Sequence, residues 1–355
     1  MSIFDEVLKQ QHRVEARANA LSDEILSALE AARADLTAQL TSLHVRFLTA
    51  ASWEEESFSR RKAFLETQRA EVDRIIRQTY ESKAPAIISA VQDTMSHIQG
   101  QTASKTLASG LFFELHSPKL DLAAIQAWAE VTTLEGLTMT EWLGRMAASS
   151  ADRIVQAGRQ AMIQGMTVQQ TAKLLRKKGI EGSRPQIESI SRTYLLSASN
   201  YAREKTIEAI GANMDFQWLY VATLDGRTCP VCGVNDGRRY KRNEERPHLP
   251  RHINCRCVYV PIFGDTFPDN VNRAAVKESG SIVHHRDGST STKFTVESVE
   301  QVKETYSEWI TRQVEEDPAF ARQVLGKSRF ELLKSGKMSL DRMVVDGRIK
   351  LLSEL

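Results

Sequence analysis

Between residues 20 and 51, apolar and alanine positions recur as Ile25, Leu29, Ala32, Leu36, Leu40/Leu43, Phe47 and Ala50/Ala51. Steps of three and four keep such positions on one stripe of an α-helix. A second stripe follows through Phe58, Phe64/Leu65, Val72, Ile75/Ile76 and Thr79. Residues 1–84 contain neither glycine nor proline, and Ser52-Trp-Glu-Glu-Glu reads as a helix start with Ser52 as cap. The pattern predicts two or three long helices forming an antiparallel hairpin or extended coil. Such an arm either forms a plain bundle or packs against a partner or another copy of the chain.

Pro85 opens a further helix to about Ile98, and a polar break follows from Gly100 to Ser109. Gly110-Leu-Phe-Phe-Glu-Leu reads as a short strand or buried turn closed by Pro118. Lys119–Thr133 and Thr140–Ile163 read as helices, the second with Thr140 as cap and Trp142, Met146, Ile154 and Ala161 at helical intervals. A shorter helix begins after Thr167 and runs to Arg176. Gln186–Ile210 is a long helix ended by Gly211.

After Gly211 the period changes. Phe216-Gln-Trp-Leu-Tyr-Val-Ala mixes aromatic and β-branched residues and predicts a strand, as do Arg238-Arg-Tyr and Cys257-Val-Tyr-Val-Pro. Asp265–Thr292 is polar with a turn at Asp287-Gly288. Ser298–Glu315 reads as an amphipathic helix, and Pro318 opens another containing Phe320, Val324, Phe330 and Leu333. The expected class is mainly α with a small metal-pinned β element (α+β) and a long N-terminal helical arm. The expected domains are the arm over 1–118, a central domain over 119–264, and a polar linker with an α/β tail over 265–355.

All four cysteines lie in the central region, as Cys229/Cys232 and Cys255/Cys257, with His252 three residues before Cys255. A Cys-x-x-Cys on a Pro- and Gly-bounded turn presents two thiolates on one side of a knuckle. A second Cys/His pair across a hairpin completes a tetrahedron around zinc. The single residue between Cys255 and Cys257 makes it hard for both to bind one ion, so which four of the five candidates serve stays open. Reduced buried thiols and disulfides are the competing readings. A zinc held by four protein ligands is structural, and three strands too few to bury a core alone suit a pinning metal.

The chain carries 47 Lys and Arg against 45 Asp and Glu, yet 225–257 alone has a net charge of +4. Arg227, Arg238, Arg239, Lys241, Arg242 and Arg256 are therefore the candidates for gripping a polyanion or an acidic partner, with double-stranded DNA as one possibility. Asp5 and Glu6 stand where a signal peptide would be apolar, and no apolar run is long enough to cross a bilayer. The protein is thus expected in a reducing host cytoplasm, where metal ligation is favoured over disulfides. No phosphate loop, dinucleotide fingerprint or nucleophile elbow is present, which argues against an enzyme. A zinc-dependent DNA-binding protein, or a nuclease built on His252 and Asn254, is the alternative.

These residues carry a resemblance. Asp225-Gly-Arg-Thr-Cys-Pro-Val-Cys, Asp236-Gly and His252-x-Asn254-Cys-Arg-Cys closely resemble the head-morphogenesis domain of tailed-phage minor head proteins, the phage Mu protein F family. Upstream, Ser191-Arg192-Thr193-Tyr194…Asn200-Tyr-Ala-Arg203 looks like a helix of that family, with Tyr194 where a glutamate is usual. Trp218 stands where the family tends to have tryptophan, and Ile253 replaces a proline. The resemblance spans about 140–262, and 325–337 looks like tails of some members. It implies a non-catalytic virion component of the head, present in few copies near the portal vertex. Its implied partners are the portal and capsid proteins, with roles in head assembly and in DNA packaging or ejection; self-association through the N-terminal helices is also open.

Overall fold

The computed structural model describes residues 3–48, 58–108, 122–164, 166, 168–180, 184–210, 215–263, 273–284, 290–345 and 347–354. Helices α1 (Ile3–Leu48) and α2 (Phe58–Glu81) follow the expected N-terminal pattern, whereas α3 (Ala84–Ala108) runs on through the polar break expected from Gly100, with Ile98 and Thr102 buried on one face. The Ser52 cap and the Gly110–Leu115 segment lie outside the described residues. Helix α4 (Leu122–Val131) leads through the short hairpin β1 (Thr133–Leu134) and β2 (Leu137–Thr138) into α5 (Met139–Ile163). The cap of α5 is Thr138, not Thr140. The Thr138 hydroxyl accepts from the Glu141 amide at 3.3 Å, while the Glu141 carboxylate accepts from the Thr138 amide at 2.7 Å. Helix α6 (Val168–Leu175) continues into one π-helical turn over Arg176–Ile180, and α7 (Arg184–Ile210) follows.

One apolar core unites these helices. Val14, Leu21, Ile25 and Leu29 of α1 are buried with Ile76 and Tyr80 of α2, Val91 and Met95 of α3, Met146 and Ile154 of α5, and Leu195 and Ala202 of α7. The N-terminal arm therefore lies along α7 for part of its length.

The strands expected after Gly211 form an antiparallel sheet in the order β5 (Arg239–Lys241), β3 (Phe216–Val221), β6 (Val258–Phe263). Alternation along a strand sends successive side chains to opposite faces. Phe216, Trp218, Tyr220 and Tyr259 face the cysteines. Leu219, Val221, Val258, Val260 and Ile262 pack under Phe4 and Val7, the first turns of α1.

A second sheet, ordered β4 (Leu224–Asp225), β7 (Arg273–His284), β8 (Thr290–Val302), corrects the reading of 265–315. The stretch taken as a polar linker holds a long antiparallel hairpin. The helix expected from Ser298 starts at Tyr306 instead, because 298–302 belongs to β8. Val296 and Val299 are three residues apart, which mimics a helical period. A bulge between Lys277 and Glu278 pairs them with Glu278 and Val276, two residues apart on β7, so the strand accommodates the spacing. The Asp287-Gly288 turn lies outside the described residues.

Helix α9 (Tyr306–Glu316) is opened by a Thr305/Glu308 capping box. Helices α10 (Pro318–Leu325) and α11 (Lys327–Lys334) are separated by Gly326 at φ 76°. A closing hairpin, β9 (Val344–Val345) and β10 (Arg348–Ile349), turns near Gly347. Tyr306, Trp309, Phe320 and Phe330 share a core with Leu224 and Val234, so the C-terminal helices pack on the segment that carries the first cysteine pair.

Candidate metal centre

The first knuckle is a single helical turn, α8 (Pro230–Gly233), with Cys229 as its N-cap. Pro230 supplies a helical φ without leaving an amide unpaired. The Cys232 amide donates to the Cys229 sulfur at 3.4 Å, which stabilises a thiolate there. The second knuckle spans His252 to Cys257. Its turn is closed by the Cys255 amide donating to the His252 carbonyl at 3.0 Å, and Asn254 takes the left-handed φ of 65° that Asn tolerates.

The two knuckles meet at their sulfurs. His252 Nδ1 donates to its neighbour's carbonyl at Ile253 (2.7 Å), which turns Nε2 toward the thiols of Cys229 and Cys232, each 3.3 Å away. Cys232 and Cys255 sulfurs are 3.9 Å apart. Ligand atoms of Cys229, Cys232 and His252 lie within 4.8 Å of one another, as do those of Cys232, Cys255 and Cys257. Tetrahedral zinc with bonds of about 2.3 Å to sulfur separates two thiolates by about 3.8 Å. The donor set thus fits a metal: soft sulfurs and one imidazole, buried or half-buried, with ligand spacing near that of a coordination shell. All four cysteines are free thiols.

The electrostatics agree. The Cys229 thiol is drawn down to about 4, first by its hydrogen bond with Cys232 and then, against burial, by His252. His252 is pushed up to about 9, first by its hydrogen bond to Cys229. An imidazolium–thiolate pair is what such a cluster forms without metal; binding a cation displaces the Nε2 proton. A cleft of about 320 Å³, lined by Thr193, Ser197, Glu204, His248, Arg251 and His252 among others, gives solvent a path to the histidine.

Helix α7 braces the second knuckle with residues picked out in the sequence. The Asn254 backbone amide donates to the Thr193 hydroxyl (2.8 Å), its side-chain Nδ2 donates to the Ser189 hydroxyl (3.0 Å), and Arg192 donates to its side-chain Oδ1 (3.3 Å). Two turns further on, Asn200 donates to the Cys257 carbonyl at 3.3 Å. Arg203 is fully buried, donating to Asn200, to Ser199 and to Gln10 of α1, and burial lowers its pKa to about 10. Trp218 is likewise buried, with the Arg246 guanidinium 4.9 Å from its ring. At the two departures from the family pattern, Tyr194 packs its ring 5.5 Å from Trp128, and Ile253 uses the amide a proline would lack to donate to Glu135.

The six basic candidates separate. Arg256 is buried and grips Asp225 through two bonds of 2.5 and 2.7 Å. Arg227 also binds Asp225, through its amide at 3.0 Å and its half-exposed guanidinium at 3.4 Å. Burial opposes ionisation of Asp225, but Arg256 and then Arg227 outweigh it and hold the carboxyl below the usual range. Asp225, Arg227 and Arg256 are therefore one internal ion cluster, and Arg256 faces inward. Arg238, Arg239 and Lys241 are exposed at edge strand β5 or beside it, and Arg242 lies 5.5 Å over the Phe216 ring.

Sequence reasoning gave Asp236 no role of its own. Its carboxylate accepts from the Ala222 amide (2.8 Å), the Tyr306 amide (2.6 Å) and the guanidinium of Arg273, so it ties the first knuckle to β7 and α9. The repeat of Asp-Gly at 225–226 and 236–237 was the available signal. Gln10 and Gln11 of α1 were also missed; Gln11 donates to the Arg256 carbonyl at 2.6 Å. Nothing local distinguishes them from other polar positions on an amphipathic helix.

Residues 152–260 match the sequence model of a family described as Phage Mu protein F like protein, and that stretch contains α7, both knuckles, β3 and β5, and ends within β6. Neither the curated proteins nor the solved structures contain a match to this chain.

Proposed function

We propose that this chain, which carries a Phage Mu protein F-like domain, is a minor head protein of a tailed phage that associates with the portal vertex and serves head assembly and DNA packaging or ejection. The observation that supports this most is the joint one: the family match covers the residues that α7 and the two knuckles bring into one braced cluster. In this reading the cluster holds a structural zinc. Four protein ligands leave no position for a reacting water, so the metal pins the sheet against α7 and performs no chemistry. The protein acts by binding, without catalysis.

Arg238, Arg239, Lys241 and Arg242 around β5 form the face toward DNA or an acidic surface of the portal or shell. Arg256 is spent internally on Asp225. The N-terminal helices and the tail are the further contacts to portal, capsid or a second copy, and the protein resides in the virion head after assembly in the host cytoplasm. The nuclease alternative draws no support from His252 and Asn254, because both are held by the cluster and by α7. The test is co-purification of tagged protein with portal and capsid proteins from infected or co-expressing cells, with one zinc per chain measured on the same sample. Zinc-loaded, folded protein with no affinity for either head component refutes the portal reading. Salt-dependent duplex binding by such protein would favour the DNA-binding alternative.

A further inference from the structure

The cluster offers five ligand atoms, one more than a closed tetrahedral site uses. We propose that Cys229, Cys232, His252 and Cys255 form the ligand quartet, and that Cys257 is a non-ligand thiol seating the site on the sheet. The inference rests on the metal-binding reading above and deepens it.

Three corners follow from the first group: His252 Nε2 stands 3.3 Å from each sulfur of the Cys-x-x-Cys turn. The fourth corner falls to Cys255 or Cys257, whose sulfurs both approach Cys232. Cys255 already lies 3.9 Å from the Cys232 sulfur, close to the about 3.8 Å edge of a zinc–thiolate tetrahedron. It also belongs to the same turn as His252, closed by the Cys255 amide on the His252 carbonyl and anchored to α7 at Asn254. One rigid loop therefore delivers both ligands, as the turn of α8 delivers the other two.

Cys257 belongs to the sheet. Its carbonyl is fixed by Asn200, and Val258 begins β6 immediately after it. Its side chain shares the aromatic layer of Trp218, Tyr220 and Tyr259. A sulfur on the compact His252 turn reaches the metal without disturbing that strand, so the arrangement favours Cys255.

The experiment uses the full chain as wild type, C255S and C257A, measuring zinc per chain and the absorption spectrum after cobalt(II) substitution. We expect one metal in wild type with charge-transfer intensity of three thiolates. C257A should keep one metal and that three-thiolate spectrum, with affinity reduced by no more than about 100-fold, the range of an outer-shell change. C255S should lose about a third of the charge-transfer intensity. Should C255S fail to fold, C257A alone decides: a spectrum reduced to two thiolates, or loss of its metal, overturns the assignment. Four-thiolate intensity in wild type overturns it as well. A wild-type protein that folds yet takes up neither zinc nor cobalt defeats the metal reading itself, an outcome distinct from a wrong choice of ligand.

Discussion

Asp225 joins Arg256 in a bidentate pair beside the first knuckle, and replacing it by asparagine tests whether that pair organises the site. The Asp225 side chain is 2% exposed and that of Arg256 9%. In D225N the shape is nearly unchanged, but a buried guanidinium loses the only countercharge it binds among the described residues. Breaking a buried pair by removing one partner costs about 3–5 kcal/mol. For a chain of this size that corresponds to a fall in Tm of about 4–7 °C. R256M should cost less, about 1.5–3 kcal/mol, because Asp225 keeps the Arg227 amide, the Arg227 guanidinium and the Thr228 hydroxyl. The double variant D225N/R256M should recover part of the loss, since no unpaired charge remains. Thermal unfolding followed by circular dichroism measures all three. The pH dependence has a definite sign. The folded-state carboxyl of Asp225 lies below its unfolded value of about 3.9, so its contribution is complete above that value and fades as pH falls below about 4. D225N should lack this part of the acid loss. If D225N melts within 1 °C of wild type, or R256M is the more damaging single change, the reasoning is refuted.

Three other outcomes follow from named contacts. A methyl group at Gly233 would stand 2.2 Å from the Tyr306 ring, so G233A should destabilise by about 1–3 kcal/mol and speed hydrogen exchange in α9; unchanged exchange there would show that the contact is slack. Gln10 accepts two donors from buried Arg203, so Q10A should cost about 1–3 kcal/mol and raise protease cleavage within residues 3–14 before any change in α7. Chelation should lower the melting temperature and release the 216–263 sheet first, because site binding is part of its folding free energy; a Tm indifferent to chelator argues against a pinning metal.

Much of this protein is written in short-range pattern. The helical stripes around Ile25 and Val72, the strand at Phe216 and the knuckle spacing of Cys229, Cys232, His252 and Cys255 are local features, and local periodicity and turn chemistry are what a sequence displays directly. The motif along α7 was also legible, but its purpose was not. That Thr193, Asn200 and Arg192 hold the second knuckle depends on α7 lying against a loop some sixty residues away. The ribbon of β7 and β8 escaped because it is stabilised by cross-strand pairing, and one bulge disguises its alternation as a helical step. The basic cluster shows the same division. Composition gathered Arg227, Arg238, Arg239, Lys241, Arg242 and Arg256 into one region, yet only packing decided that Arg256 turns inward to neutralise Asp225 while Arg238, Arg239 and Lys241 face solvent. Charge is a property of the residue, whereas its availability depends on which opposite charge the fold buries beside it.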